Sequence, residues 1–250
     1  MEDKYLHITN SVAKTCKLML ITVLYYTKAG KLKPPSNIPA RCAIAYVNSD
    51  KHKTPGWTSI NYVYDKYDLP RSSHIARSVI GQVKYNSIII YVDFKLTQKY
   101  TLDAFCLQKL RSTQLLAVTK HPLFETRSTE IEYMENIHHL LNRKSNISVF
   151  RDLMLQYDKI LHNTSYNIKS THIMPDNYFM IWKTPSEQLS KFSIQWSYEI
   201  KYISMRTQPV FDYIVKRHNI NLQWLKYTSP VLCAVQHKLK SLLYELLYTY

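Results

Sequence analysis

The sequence predicts a predominantly α-helical fold with a small β component, α+β in class, and three observations lead there. Apolar residues recur at helical spacing through most of residues 101–250. Helix-start devices cluster in the same region: Thr129-Glu130-Ile131-Glu132 and Thr184-Pro185-Ser186-Glu187 are capping boxes, and Gln208-Pro209 and Ser229-Pro230 place proline where a first turn tolerates it. Against these stands one strong strand signal, the β-branched run Ser87-Ile88-Ile89-Ile90-Tyr91-Val92-Asp93-Phe94.

Taken in order, residues 11–28 read as a first helix, with Val12, Cys16, Met19, Leu20, Val23 and Tyr26 on one stripe and Gly30 as its cap. Its apolar stretch at 18–26 has the length of a signal-peptide core, but Glu2 and Asp3 precede it, and an ordinary buried helix is expected. Three prolines within residues 31–41 then force an extended linker. The result is a helical arm at 1–30 on a Pro-rich linker at 31–41, an arrangement suited to exchange between subunits. Residues 42–100 form a small mixed α/β region. It holds strands at 42–47 and 87–94, an aromatic, partly alternating stretch at 57–64 and a short helix at 72–83.

Residues 101–250 form the helical region. Helices are expected at 102–119, at 131–141, at 149–162 and from 187 to about 203, with a brief strand at 178–182. A last helix at 230–248 is apolar around much of its circumference and needs cover on several sides. The whole is expected to pack as one compact unit.

Composition narrows the chemistry. The chain has 250 residues, 46% of them apolar, with four cysteines and only three glycines. A phosphate-cradling loop needs two or three glycines within a few residues, and none is present. Cys16, Cys42, Cys106 and Cys233 show neither a C-x-x-C pair nor zinc spacing, and read as reduced thiols. Cys106, Cys16 and Cys233 lie on apolar stripes, so Cys42 is the first candidate for a bridge between chains and Cys16 the next. His138-His139 point to different faces, and Cys233 with His237 supplies two ligands without a third. His74-Ile75-Ala76-Arg77 matches the H-x-x-R of tyrosine recombinases, but the rest of that pattern has no counterpart here. No catalytic residue, cofactor, metal or membrane span is expected, and the chain is read as a non-enzyme.

The charge is more informative. At +15, the densest basic patch is Lys28, Lys31, Lys33, Arg41, Lys51 and Lys53, opposed only by Asp50 and interleaved with Tyr25, Tyr26, Tyr46 and Trp57. Such a patch suits a nucleic-acid backbone with base stacking. Yet 21 tyrosines accompany the lysines, and both types titrate near pH 10–10.5. A dense assembly of this chain would turn from positive to strongly negative in strong alkali and repel itself apart. Tyr25, Tyr26, Tyr46, Tyr244, Tyr248 and Tyr250 are the candidate contacts of such a switch.

As a profile of size, tyrosine content, A/T-biased composition and helical pattern, the chain resembles the polyhedrins, the matrix proteins of insect-virus occlusion bodies, and most of all those of nudiviruses. The resemblance implies a structural protein that self-assembles into a crystalline lattice around virions. It implies synthesis in the nucleus of an infected host cell, release in extracellular occlusion bodies and dissolution in alkali. The alternative is a basic nucleic-acid-binding protein of a DNA virus that uses the patch within residues 28–57.

Overall fold

The computed structural model describes residues 4–25, 30–111, 113–120, 175–202 and 208–234. They build a seven-stranded mixed sheet, which overturns the helix-dominated expectation. In chain order the elements are α1 (Lys4–Ala13), β1 (Leu18–Leu24), β2 (Ala43–Val47), β3 (Thr58–Asn61), α2 (Leu69–Ser78), β4 (Ser87–Val92), α3 (Phe94–Lys99), α4 (Ala104–Lys109), β5 (Leu116–Lys120), β6 (Pro175–Thr184), α5 (Glu187–Tyr202), α6 (Gln208–Arg217) and β7 (Leu222–Leu225). The spatial order is β3-β2-β1-β4-β6-β5-β7. Six strands run parallel; β6 alone among the described strands is antiparallel, and it lies inside the sheet between β4 and β5.

The sheet is covered on both faces. Met19, Ile21 and Val23 of β1, Ile89 and Tyr91 of β4 and Met180 and Trp182 of β6 point to one side, where α1, α2, α5 and α6 pack. Leu20 and Leu24, Ile90 and Val92, and Phe179 and Ile181 point to the other, against α4 and the helical residues Cys233 and Ala234. This double burial explains why β1 is misread as a helix. A strand covered on both faces has no polar alternation, and a continuous apolar run fits a helical stripe equally well. The arm expected at 1–30 is therefore no appendage: its second half is an inner strand of the sheet. The helix expected at 102–119 divides into α4 and β5 in the same way.

Other expectations match closely. The strands at 42–47, 87–94 and 178–182 correspond to β2, β4 and the middle of β6, and the helix from 187 to α5. Its cap is Ser186, whose Oγ accepts from the Leu189 amide at 3.3 Å. The Thr184 hydroxyl instead donates to the carbonyls of Tyr85 and Ser87. The helices expected at 131–141 and 149–162, and most of the last one, lie outside the described residues.

The cysteines correct a second expectation. Cys16 is bonded to Cys42 and Cys106 to Cys233, all within the chain, so Cys42 is spoken for and no described cysteine is a free thiol. The first bond ties the residues just before β1 and β2 together, and the second fixes α4 to the segment that follows β7.

Glycine scarcity has a structural meaning at Gly81, in the 3-10 turn Val79–Gln82 beneath α5. A Cβ there would stand 2.2 Å from Ser193 Oγ, 2.7 Å from the Leu189 carbonyl and 3.0 Å from the Trp182 ring. A backbone oxygen cannot swing away. Gly81→Ala is expected to cost about 1–3 kcal/mol, read as a lowered urea midpoint, and Ser193→Gly should recover only part of the loss.

Candidate functional site: a cleft at the carboxyl edge of the sheet

In a doubly wound sheet the chain leaves neighbouring strands in opposite directions at the point where the order reverses, which opens a crevice at the carboxyl ends. Here that point lies between β1 and β4. Two adjoining hollows of about 260 and 250 Å3 occupy this edge, and both are lined by His74, Arg77, Asp93 and Lys95. The first reaches toward Tyr25 and Tyr91, the second toward Asp176, Asn177, Tyr178 and Tyr227.

Each residue has a local reason to be there. Asp93 directly follows β4 and caps α3, its carboxylate accepting from the Lys95 amide at 2.9 Å. His74 and Arg77 sit one turn apart on α2, which Asp68 caps by accepting from the Arg71 amide at 3.0 Å. Because β6 is antiparallel, its first residues rather than its last reach the carboxyl edge, and this brings in Asp176 and Asn177. The Asp93 amide donates to the Tyr178 carbonyl at 2.7 Å, joining the two strands at this spot. Tyr178 in turn donates its hydroxyl to the Tyr227 carbonyl, with the rings 4.7 Å apart.

Arg77 is the buried cation of the site. Its side chain is buried, donates to the Asn177 carbonyl at 3.2 Å and lies 5.8 Å from the centre of the Tyr91 ring. Burial nonetheless dominates the two carboxyls. It pushes Asp93 above the usual carboxylate range despite Lys95 and Arg77. It also raises Asp176 to about 6, against the pull of the Tyr178 amide and Arg77 and with a further push from Asp93. Two half-desolvated acids beside a buried guanidinium form a polar centre that the fold itself leaves under-solvated, as ligand sites do.

Folding therefore works against the Asp176 charge. Below about pH 3 this cost is absent; it grows as pH rises toward 6 and is fully present above. Asp176→Asn is expected to stabilise the protein by about 2 kcal/mol at pH 7 and to have almost no effect at pH 3. Thermal unfolding at the two pH values checks this, and an equal gain at both would show that charge is not the cause.

Comparison with known proteins finds no matching family model, curated protein or solved structure.

The sequence marks His74 and Arg77 as a pair but sets them aside; the structure puts both on the cleft wall. Asp93, Lys95, Asp176, Asn177, Tyr178 and Tyr227 went unrecognised. The legible signal was Asp93, a capping carboxylate closing the clearest strand of the chain. The expected switch tyrosines fare differently. Tyr25 and Tyr46 are buried, in a chain of bonds in which the Tyr64 amide donates to Tyr5, Tyr5 meets Tyr25 at 2.5 Å and Tyr25 donates to the Tyr62 carbonyl at 2.6 Å. Neither is available for contacts between molecules, while Tyr26, Tyr244, Tyr248 and Tyr250 lie outside the described residues.

Of the basic patch, Lys31 and Lys53 are paired by a parallel bridge, with Lys33 and Lys51 two residues away on either segment. Arg41 stands apart, just before β2 at the opposite edge of the sheet, and Lys28 lies outside the described residues. Trp57 is buried and cannot stack on bases. Among the described residues no group of three His, Cys, Asp or Glu is placed to hold a metal ion, and no helix is long and apolar enough to cross a membrane.

Proposed function

We propose that the protein binds a nucleotide in the cleft between β1 and β4. The observation that carries this reading is the convergence on one crevice of Arg77, His74 and Lys95 with Asp93 and Asp176. Arg77 and Lys95 suit a phosphate, with the His74 ring as a further polar group, and guanidinium suits it most of all, because its planar fork meets two oxygens at once. The carboxylates suit donors such as ribose hydroxyls, the partners that an acidic residue takes in other doubly wound folds. Phe94 and Tyr178, both half-buried, offer ring faces for a base. Without a glycine-rich turn the phosphate is held by side chains, so a mononucleotide fits better than a dinucleotide. Calorimetric titration with ribonucleoside 5′-monophosphates tests the reading. Sub-millimolar binding that is lost when ribose or inorganic phosphate is offered alone supports it; no binding of any nucleotide overturns it.

A second reading, the self-assembling viral matrix enclosing virions, is favoured by one observation. Ile194, Tyr198 and Tyr202 are exposed at successive turns of α5, with the two tyrosine rings 5.0 Å apart. Tyr64, under Lys201, and the 87% exposed Tyr67 add to this aromatic surface. Clustered exposed apolar groups of this kind mark contact surfaces. Material that is particulate at neutral pH and dissolves near pH 10 supports this reading, and a monodisperse monomer at neutral pH removes it.

A further inference from the structure

We infer that Lys31, Lys33, Lys51 and Lys53 form a docking rim for a single nucleic-acid strand, whose end is delivered to the neighbouring cleft. The delivery step rests on the nucleotide reading above; the rim itself does not.

Two loops leave the carboxyl ends of β1 and β2 and meet edge to edge. The Leu32 amide donates to the Lys53 carbonyl at 2.9 Å, and the Lys53 amide to the Gly30 carbonyl at 2.8 Å. Each loop alternates outward and inward: Lys31 and Lys33 are exposed while Leu32 is buried, and Lys51 and Lys53 are exposed while His52 is buried. His52 locks the pair, since its Nδ1 accepts from the Gly30 amide at 3.1 Å and its Nε2 meets the Asn48 side chain at 3.0 Å. Four lysines are thereby held on one preformed surface. In extended chain, alternate residues stand roughly 6.5–7 Å apart, close to the separation of successive phosphates along one strand. Asp50, the one acid within the patch, accepts from the Asn61 side chain at 3.2 Å.

The rim adjoins the cleft through α3. The Lys33 amide donates to the Thr97 carbonyl at 2.7 Å, and Gly30 packs against Gln98, while Lys95 at the other end of the same helix lines the cleft. Lys99, in the last turn of the same helix, is exposed as well. A nucleic acid fits this surface better than an anionic membrane does. None of the exposed large apolar side chains among the described residues falls within 30–57, so a membrane would find charge but nothing to insert.

Fluorescence anisotropy with a labelled 20-nucleotide single strand tests the rim. Lys31→Ala with Lys53→Ala is expected to weaken binding at least tenfold at 50 mM salt and to flatten the salt dependence by about 1.4 in log–log slope, the share of two phosphate contacts. Lys17→Ala with Lys84→Ala removes the same charge at the opposite edge and should leave both unchanged. Equal losses from the two pairs, no oligonucleotide binding, or tighter binding to phosphatidylserine vesicles than to the oligonucleotide would each overturn the proposal. Thermal unfolding of both double variants confirms that they fold. Mononucleotide binding that survives while oligonucleotide binding is absent removes the rim alone. Rim binding that survives without mononucleotide binding removes the cleft reading and the delivery step with it.

Discussion

Arg77→Met is expected to abolish measurable nucleotide binding, by a factor of about 10–100 or more. A charge-assisted hydrogen bond to phosphate contributes about 1.5–3 kcal/mol, and methionine fills the space of the stem while removing every donor. The substitution also acts on the neighbours. Asp93 and Asp176 lose the guanidinium that now offsets part of their burial, so both should become harder to ionise, Asp176 rising beyond about 6. Carboxyl titration by NMR reads that shift independently of any ligand. Arg77→Lys separates the two effects: it restores the charge and brings the carboxyls back toward their wild-type titration, but it lacks the fork that grips two phosphate oxygens. Undiminished binding in the methionine variant would remove the phosphate role of Arg77, whatever the carboxyls do.

The second large effect is expected in alkali, and inside the molecule. Tyr5 and Tyr25 are buried side by side, and burial pushes both hydroxyls far above the usual tyrosine range. In the unfolded chain they ionise near pH 10. Below that pH both states keep the protons and stability is unaffected. Above it the unfolded state loses protons that the folded state holds, so stability falls as pH rises. The loss should reach about 1.4 kcal/mol for each of the two by pH 11, roughly 3 kcal/mol against a typical total of 5–15. Urea midpoints between pH 8 and 11 measure it. The Tyr5→Phe, Tyr25→Phe variant should start lower at pH 8 but decline less steeply, whereas parallel curves would exclude the pair as the cause. Any assembled material that dissolves in this range would do so with subunits weakened but still folded.

What the sequence discloses depends on how each element meets water. α5 alternates buried Leu189, Phe192, Trp196 and Ile200 with exposed Lys191 and Ile194, so its period is legible. β4 is legible because three isoleucines in a row favour strand whatever covers them. β1 is not, because Leu-Met-Leu-Ile-Thr-Val-Leu carries no mark of which residues share a face. Losing β1 meant losing the sheet order, and with it the cleft, since a crevice at a reversal point exists only once the strands on either side are known. Arg77 and Asp176 lie about a hundred residues apart in sequence, and only β6 in its antiparallel setting makes them neighbours. The basic loops were visible as charge, but the alternation that turns four lysines outward depends on Leu32 and His52 being buried, which is a property of the fold.

The place of β6 also sets an order of events in synthesis. As the chain emerges, β1 to β4 can pair as soon as they are made, because each partner is already present. β5 cannot join them. The place beside β4 belongs to β6, a strand made later, and until Pro175–Thr184 arrives β4 presents an open edge and β5 has no neighbour to bridge the gap. A nascent chain at this stage is half a sheet with a hydrophobic, unprotected border, the state most prone to pair wrongly. The strand that completes the cleft is thus also the one that joins β5 to β4, so no molecule acquires the Asp176 side of its site before that edge of β4 is sealed.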